Sequence, residues 1–393
     1  MARRGQGEGS IRKRSDGRWV GSYEVDRVDG RRHRRYVYGA TRKAVQDKLT
    51  DARKDRRDGL PVVDARLTVE QYLTSWLEQE RHRLRPSTWV SYEGHVRLHL
   101  IPRLGKVPVA KLTPAGIRQA LIDDHEAGSS PRTVQLARAV LRSALQRGVQ
   151  DGALPRNVAA LAGQAVPVPR HEVEPFSVDE ARTLLDAVKD DPLEGPLYTT
   201  AIALGLRQGE LFGLRWADVD LDGTRNLAER LPSLVVTHSL ARIGGKPHLV
   251  EPKTAGSRRP VLLPPIVLAA LRRRQEAQET DREAAGDRWD ASWGLVFSTP
   301  LGTPLDSANV TKRLQRHLAA LGLPRRRFHD LRHSFATYLL SAGTPLPVVS
   351  RMLGHTQAST TLNIYAHALP TAQREAAGIV DGLLNGPALP AGK

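Results

Sequence analysis

The segment Val166-Pro-Val-Pro-Arg170 sets the first constraint on this chain, because two prolines within four positions make a stiff extended linker. A chain of 393 residues is also too long for one ordinary hydrophobic core. More than one domain is therefore expected, with a boundary at this linker.

Ahead of the linker the pattern is helical. Thr68 and Gln71 form a capping-box pair, and Val69, Tyr72, Leu73, Trp76 and Leu77 recur on one helical face. Ser87, Thr113-Pro114 and Ser130-Pro131 signal further helix starts. The last of these carries Val134, Ala137, Leu141, Ala144 and Leu145 as its buried face. A four-helix module running to Leu154-Pro155 is predicted within a domain over residues 67–162. Composition alone suits a structural bundle as well as a nucleic-acid clamp.

Residues 1–60 read differently. Trp19, Gly21, Tyr23 and Val25 alternate with more polar neighbours, Val28-Asp-Gly supplies a turn, and Arg31 to Tyr38 returns as a second strand. A helix follows from a Thr41 cap to Gly59, with Ala44, Val45, Leu49 and Ala52 as its apolar stripe. This block holds 18 Lys and Arg against 9 Asp and Glu, more than half of the chain's net +17. Arg31, Arg32, Arg34 and Arg35 crowd one strand, where their repulsion calls for a counter-charge such as a phosphate backbone. The competing reading is a solvated basic surface.

Beyond the linker a third domain is expected over 177–393, opening with a capping box at Ser177 and Glu180. Leu234 to His238 reads as a strand, Ile243-Gly-Gly-Lys246 as its turn and Val261-Leu-Leu-Pro264 as a later strand. Lys253 then falls on a β-hairpin. From Asp306 the pattern is helical, in pieces punctuated by Gly322, Gly343 and Gly354. Asp218 and Asp220 are read as shaping a turn, since they lack a calcium-loop pattern.

Composition narrows the class. A pI near 10.5 points to a polyanionic partner. The longest apolar run, Val261 to Leu271, is broken by Pro264 and Pro265 and is about half of the ~20 residues a membrane span needs. The chain contains no cysteine, which removes disulfides and thiolate chemistry and fits a reducing cytosol. The N-terminus lacks the apolar core of a signal peptide. The expected setting is cytoplasmic, associated with the nucleoid when bound to DNA.

Six residues carry the chemistry. Arg207 lies in Ala203-Leu-Gly-Leu-Arg-Gln-Gly-Glu-Leu, Lys253 in Glu251-Pro-Lys-Thr-Ala-Gly, and His329 and Arg332 in Phe328-His-Asp-Leu-Arg-His-Ser-Phe-Ala-Thr. His355 closes Met352-Leu-Gly-His, and Tyr365 lies in Leu362-Asn-Ile-Tyr-Ala-His. In type, order and context this series resembles the tyrosine recombinase, or phage integrase, family. It is nearest to integrases of phages and integrative elements. One departure is Gln208, where many relatives carry a small hydroxyl residue.

The resemblance implies a fold and a reaction. The fold is multidomain: a small N-terminal β-sheet plus helix that binds arm-type DNA sites, an all-α core-binding bundle, and a mixed α+β, mainly helical catalytic domain. The reaction cuts and rejoins DNA through a 3′-phosphotyrosyl intermediate and a Holliday junction, integrating and excising a mobile element.

Without metal, guanidinium forks are suited to the charge of a five-coordinate phosphorus. Arg207 and Arg332 are the expected phosphate clamp, with Glu210 orienting the helix start behind Arg207. His329 and Arg332, three apart, share a helical face, whereas His333 falls outside it and reads as structural or solvent-facing. The resemblance makes His355 a further phosphate donor, Lys253 the general acid for the 5′ oxygen and Tyr365 the nucleophile. Lys246 is the rival lysine, and Tyr338, on an apolar helix face, the rival tyrosine.

No cofactor or metal is expected. The expected partners are double-stranded DNA attachment sites, three further copies of the chain in a homotetramer, and an accessory DNA-bending or directionality factor. Residues Thr371 to Leu384 read as a helix able to dock on its own domain or on a neighbour. Two alternatives are a type IB-like topoisomerase and a non-catalytic DNA-binding protein.

Overall fold

The computed structural model describes residues 10–26, 32–57, 64, 66–169, 174–224, 230–252 and 258–354. The chain divides into two compact units, Met1–Arg170 and His171–Lys393. Among the described residues no helix is long and apolar enough to cross a membrane.

The first unit begins with an antiparallel sheet of β1 (Ser10–Lys13), β2 (Trp19–Asp26) and β3 (Arg32–Gly39), in that order. The strand β1 adds to the two legible in the sequence; Arg31 and the Val28-Asp-Gly turn lie outside the described residues. Helix α1 (Arg42–Arg57) packs on the sheet through Val45 and Leu49, both fully buried. Gly21 permits the close approach, since a Cβ there would stand 2.7 Å from both side chains. As predicted, the Thr41 hydroxyl accepts the Ala44 N–H at 3.1 Å and caps the helix.

A helical bundle follows: α2 (Val69–Glu80), α3 (Pro86–His95), α4 (Ile101–Leu104), α5 (Pro114–Glu126), α6 (Pro131–Gln150) and the single turn α7 (Val158–Leu161). Thr68 and Gln71 close the predicted capping box, and Thr113 and Ser130 cap α5 and α6. The start of α3 differs from expectation. Ser87 sits inside the first turn; Arg85 holds the cap position without a side-chain capping bond to the helix, and Pro86 supplies the preset φ. The core is the expected set, with Leu73, Trp76, Leu77, Val134, Ala137, Leu141, Ala144 and Leu145 all buried. Val158, Ala159 and Ala162 extend it past Leu154.

The second unit is mainly helical: α8 (Val178–Val188), α9 (Glu194–Leu204), α10 (Gln208–Phe212), α11 (Pro265–Ala285), α12 (Ser307–Ala320), α13 (Phe328–Ser341) and α14 (Leu346–Leu353). The predicted Ser177–Glu180 box is formed. Its strands are β4 (Val219–Asp220), β5 (Ser233–Val235), β6 (Ser239–Ile243), β7 (Lys246–Val250) and β8 (Pro260–Leu262).

These strands form two sheets where the sequence suggested one hairpin. The antiparallel sheet β4-β5-β8 is separate from the β6-β7 hairpin. The strand read as Leu234 to His238 stops at Val235, and the Gly244-Gly245 turn belongs to β6 and β7, both glycines having positive φ. Helix α9 is buried on nearly every side, and α10, α11 and α13 pack around it.

Candidate functional site

Arg207 occupies the N-cap of α10, reached from α9 through Gly205 at φ 59°. Its backbone N–H donates to Glu210 Oε2 at 3.0 Å, and its Nη1 donates to Glu210 Oε1 at 2.6 Å. Glu210 therefore closes the capping box and clamps the guanidinium, as the sequence suggested. Its carboxylate is 5% exposed. Burial alone would raise its pKa, but the charges of Arg259 and Arg207 and the Arg207 hydrogen bonds outweigh that and hold it below the ordinary carboxylate range.

Arg332 lies on α13 and is 3% exposed. Its Nη1 donates to the Gly205 carbonyl and its Nη2 to the Leu353 carbonyl, both at 2.7 Å. The other Nη of Arg207 donates to the Gly354 carbonyl at 3.0 Å. The two arginines named from sequence thus meet at the carbonyl end of α14, where Gly354 takes the left-handed conformation at φ 65°. A helix C-terminus presents unpaired carbonyls and a negative partial charge, so guanidinium donors are favoured there.

A third arginine completes the pattern, and sequence reasoning missed it. Arg259, 6% exposed and immediately ahead of β8, donates from Nε to the Met352 carbonyl at 2.7 Å and from Nη2 to Glu210 Oε2 at 3.3 Å. The carbonyls of Met352, Leu353 and Gly354 each accept from a different arginine. The available signal was weak: Gly256-Ser-Arg-Arg-Pro260 reads as a basic loop, and nothing local marks Arg259 as inward-facing.

His329 shares α13 with Arg332. Although the residue is exposed, loss of hydration against its neighbours, followed by the charge of Arg332, lowers its pKa below the ordinary imidazole range. The ring is thus neutral at pH 7, able to donate one hydrogen bond or accept a proton. His333 is structural, one of its two expected roles, but it shares the face from which the sequence reading excluded it. It is buried and packs edge to face against His329, with ring centroids 4.9 Å apart. Positions i and i+4 are neighbours on a helix, which the three-residue spacing to Arg332 obscured. Burial, then repulsion from His329, lowers the His333 pKa to about 4.

The rival residues take other places. Tyr338 donates its hydroxyl to the Phe176 carbonyl at 2.9 Å, which ties α13 to the start of the unit. Lys246 is exposed at the β6-β7 turn. Asp220 accepts the Thr224 N–H at 3.1 Å and so holds a turn, and Asp218 accepts from Thr237 at 2.7 Å. Lys253, His355, Tyr365 and the Thr371 to Leu384 segment lie outside the described residues. In sequence, His355 directly follows Gly354, and Lys253 stands between β7 and Arg259.

Comparison with known proteins gives the family. Residues 175–371 match the phage integrase family, and residues 68–123 match the phage integrase N-terminal SAM-like domain. A tyrosine recombinase XerC-like protein of Caldanaerobacter subterraneus is 30% identical over 369 residues, covering 90% of this chain and 93% of that protein. The Tn1549 transposon integrase, solved with transposon right end DNA, superposes with a TM-score of 0.66 at 22% identity, over 80% of this chain and 100% of that one. A lambda integrase tetramer bound to a Holliday junction gives a TM-score of 0.52 at 18% identity, over 89% and 93% of the two chains.

Proposed function

Since the chain belongs to the phage integrase family of tyrosine recombinases, we propose that it integrates and excises a mobile element by site-specific cutting and rejoining of DNA. Tyr365 attacks the scissile phosphate, giving its phenolic proton to a histidine and forming a 3′-phosphotyrosyl bond as the 5′ oxygen departs with a proton from Lys253. The linkage retains the energy of the broken phosphodiester, so a 5′ hydroxyl from a partner duplex reverses the step. Two rounds of exchange pass through a Holliday junction within a homotetramer.

The observation that carries this reading is the convergence of Arg207 and Arg332 on adjacent carbonyls, Gly354 and Leu353. Two fixed guanidinium groups at one locus suit a phosphate that gains charge in the transition state, because their donors are oriented before the reaction begins. His329 adds a neutral donor on the same helix as Arg332, and His355, the residue after Gly354 in sequence, is assigned as a further donor. The lambda integrase tetramer on a Holliday junction supports the proposed assembly. We assign residues 1–60 to arm-site binding, 67–162 to core-site binding and 177–393 to catalysis, in the cytoplasm on nucleoid DNA, with an accessory bending or directionality factor.

The test is recombination between two plasmid-borne attachment sites, mapped from the junctions that flank the element encoding this chain. Recombinant joints are expected at those sites. Relaxation of supercoiled DNA with no recombinant joints would instead favour a topoisomerase.

A further inference from the structure

Arg259 is a buried cation outside the six-residue series, and its bonds link three separate parts of the second unit. Its backbone carbonyl accepts the Val236 N–H at 3.2 Å, anchoring it beside the segment that follows β5. Its Nη2 reaches Glu210, whose carboxylate also holds both the backbone and the guanidinium of Arg207. Its Nε holds the Met352 carbonyl, two residues before the Gly354 bend. The guanidinium lies hard against that bend: a Cβ on Gly354 would stand 2.7 Å from Arg259 Nη1.

Burying an arginine is unfavourable unless its donors are satisfied, and a well-packed apolar side chain often stabilises a fold equally well. An arginine here makes sense when directional bonds are needed. Arg259, Glu210 and Arg207 form a cation-anion-cation chain whose outer end is the more exposed Arg207. The same guanidinium fixes the helix end that leads into His355.

We propose that Arg259 is a positioning residue for the strand-transfer site. It holds Glu210 and the end of α14 in one frame, and so sets the direction of Arg207 and the position of the Gly354 bend. Arg259 itself touches no DNA. This assignment rests on the reading of Arg207 as a phosphate donor.

The test uses the full chain and a nicked suicide substrate at saturating DNA, with wild type, Arg259→Met, Arg259→Gln and Arg259→Lys. Three quantities are read: the final fraction of protein trapped, the rate constant of trapping, and the Kd for core-site DNA. A misplaced donor slows chemistry without weakening binding, so the Arg259→Met rate constant should fall by about tenfold to a hundredfold with Kd within roughly twofold. Arg259→Lys should recover part of the rate, since it keeps the charge facing Glu210 but loses the fork. Should Arg259→Met fail to fold, Arg259→Gln takes its place in the comparison.

A smaller trapped fraction with a wild-type rate constant would overturn the proposal, because it would show a role in folding alone. If wild type itself traps no DNA, the functional reading fails instead, so the two failures are distinct.

Discussion

Arg207 and Gly354, 147 positions apart in sequence, are joined by a 3.0 Å hydrogen bond from Nη2 to the carbonyl oxygen. Arg332 makes the equivalent bond to the preceding carbonyl, that of Leu353. The consequence is that the guanidinium groups proposed to bind phosphate are held in place by backbone acceptors. Lysine would bring charge without the fork. Arg332→Lys should therefore bind core-site DNA normally and cleave it about 10²- to 10³-fold more slowly, the usual cost of losing an oriented donor. Single-turnover cleavage beside a binding isotherm checks this.

His333 provides a pH prediction. Its pKa falls from 6.5 unfolded to about 4 folded, so between those values the unfolded chain binds a proton that the folded chain does not. Stability is then full above pH 6.5 and falls as pH drops toward 4, by up to about 3 kcal/mol. His329, lowered in the same direction, adds to this loss, with Asp330 and Arg332 the charged groups beside the pair. Glu210, held below the ordinary carboxylate range, loses its contribution only at lower pH. Urea unfolding from pH 4 to 8 should show a shallower acid limb for His333→Phe than for wild type.

Tyr338 separates a structural tyrosine from the proposed nucleophile. Tyr338→Phe removes the hydroxyl that donates to the Phe176 carbonyl. It should cost about 1 kcal/mol of stability, the net value of one such bond, with cleavage unchanged. Denaturation and suicide-substrate trapping on the same preparation check both halves.

What the sequence disclosed follows from the range of each interaction. The capping boxes at Thr68 and Ser177 are closed within four residues, so composition and spacing sufficed. At α3 the cap position is Arg85, a residue type that does not signal a cap and makes no capping bond here, whereas Ser87, which does signal one, lies inside the first turn. The β5-β8 pairing skips over the β6-β7 hairpin, a long-range choice that strand periodicity cannot encode. The site divides in the same way. Arg207 and Glu210 are three apart and legible, whereas the partners of Arg259 lie 49 and 93 positions away.

The basic N-terminal block gives a fourth prediction. A protein starting near Leu60 should still form a covalent adduct at a core site but lose affinity for flanking arm sequences and integrate poorly. The slope of log K against log salt should flatten by about 0.9 for each phosphate that the shortened protein no longer neutralises. Filter binding on long and short attachment-site DNA, at several salt concentrations, measures it. Unchanged long-site affinity and normal integration would make the block a basic surface only.

The nucleophile is the centre of the proposed mechanism, and trapping on a nicked suicide substrate tests it most directly. Wild type should accumulate a covalent protein–DNA adduct joined through a 3′ phosphate, and peptide mapping should place that phosphate on Tyr365. Tyr365→Phe should bind the same DNA with similar affinity and trap none. An undiminished adduct in Tyr365→Phe, or a phosphate mapped to another residue, would contradict the mechanism.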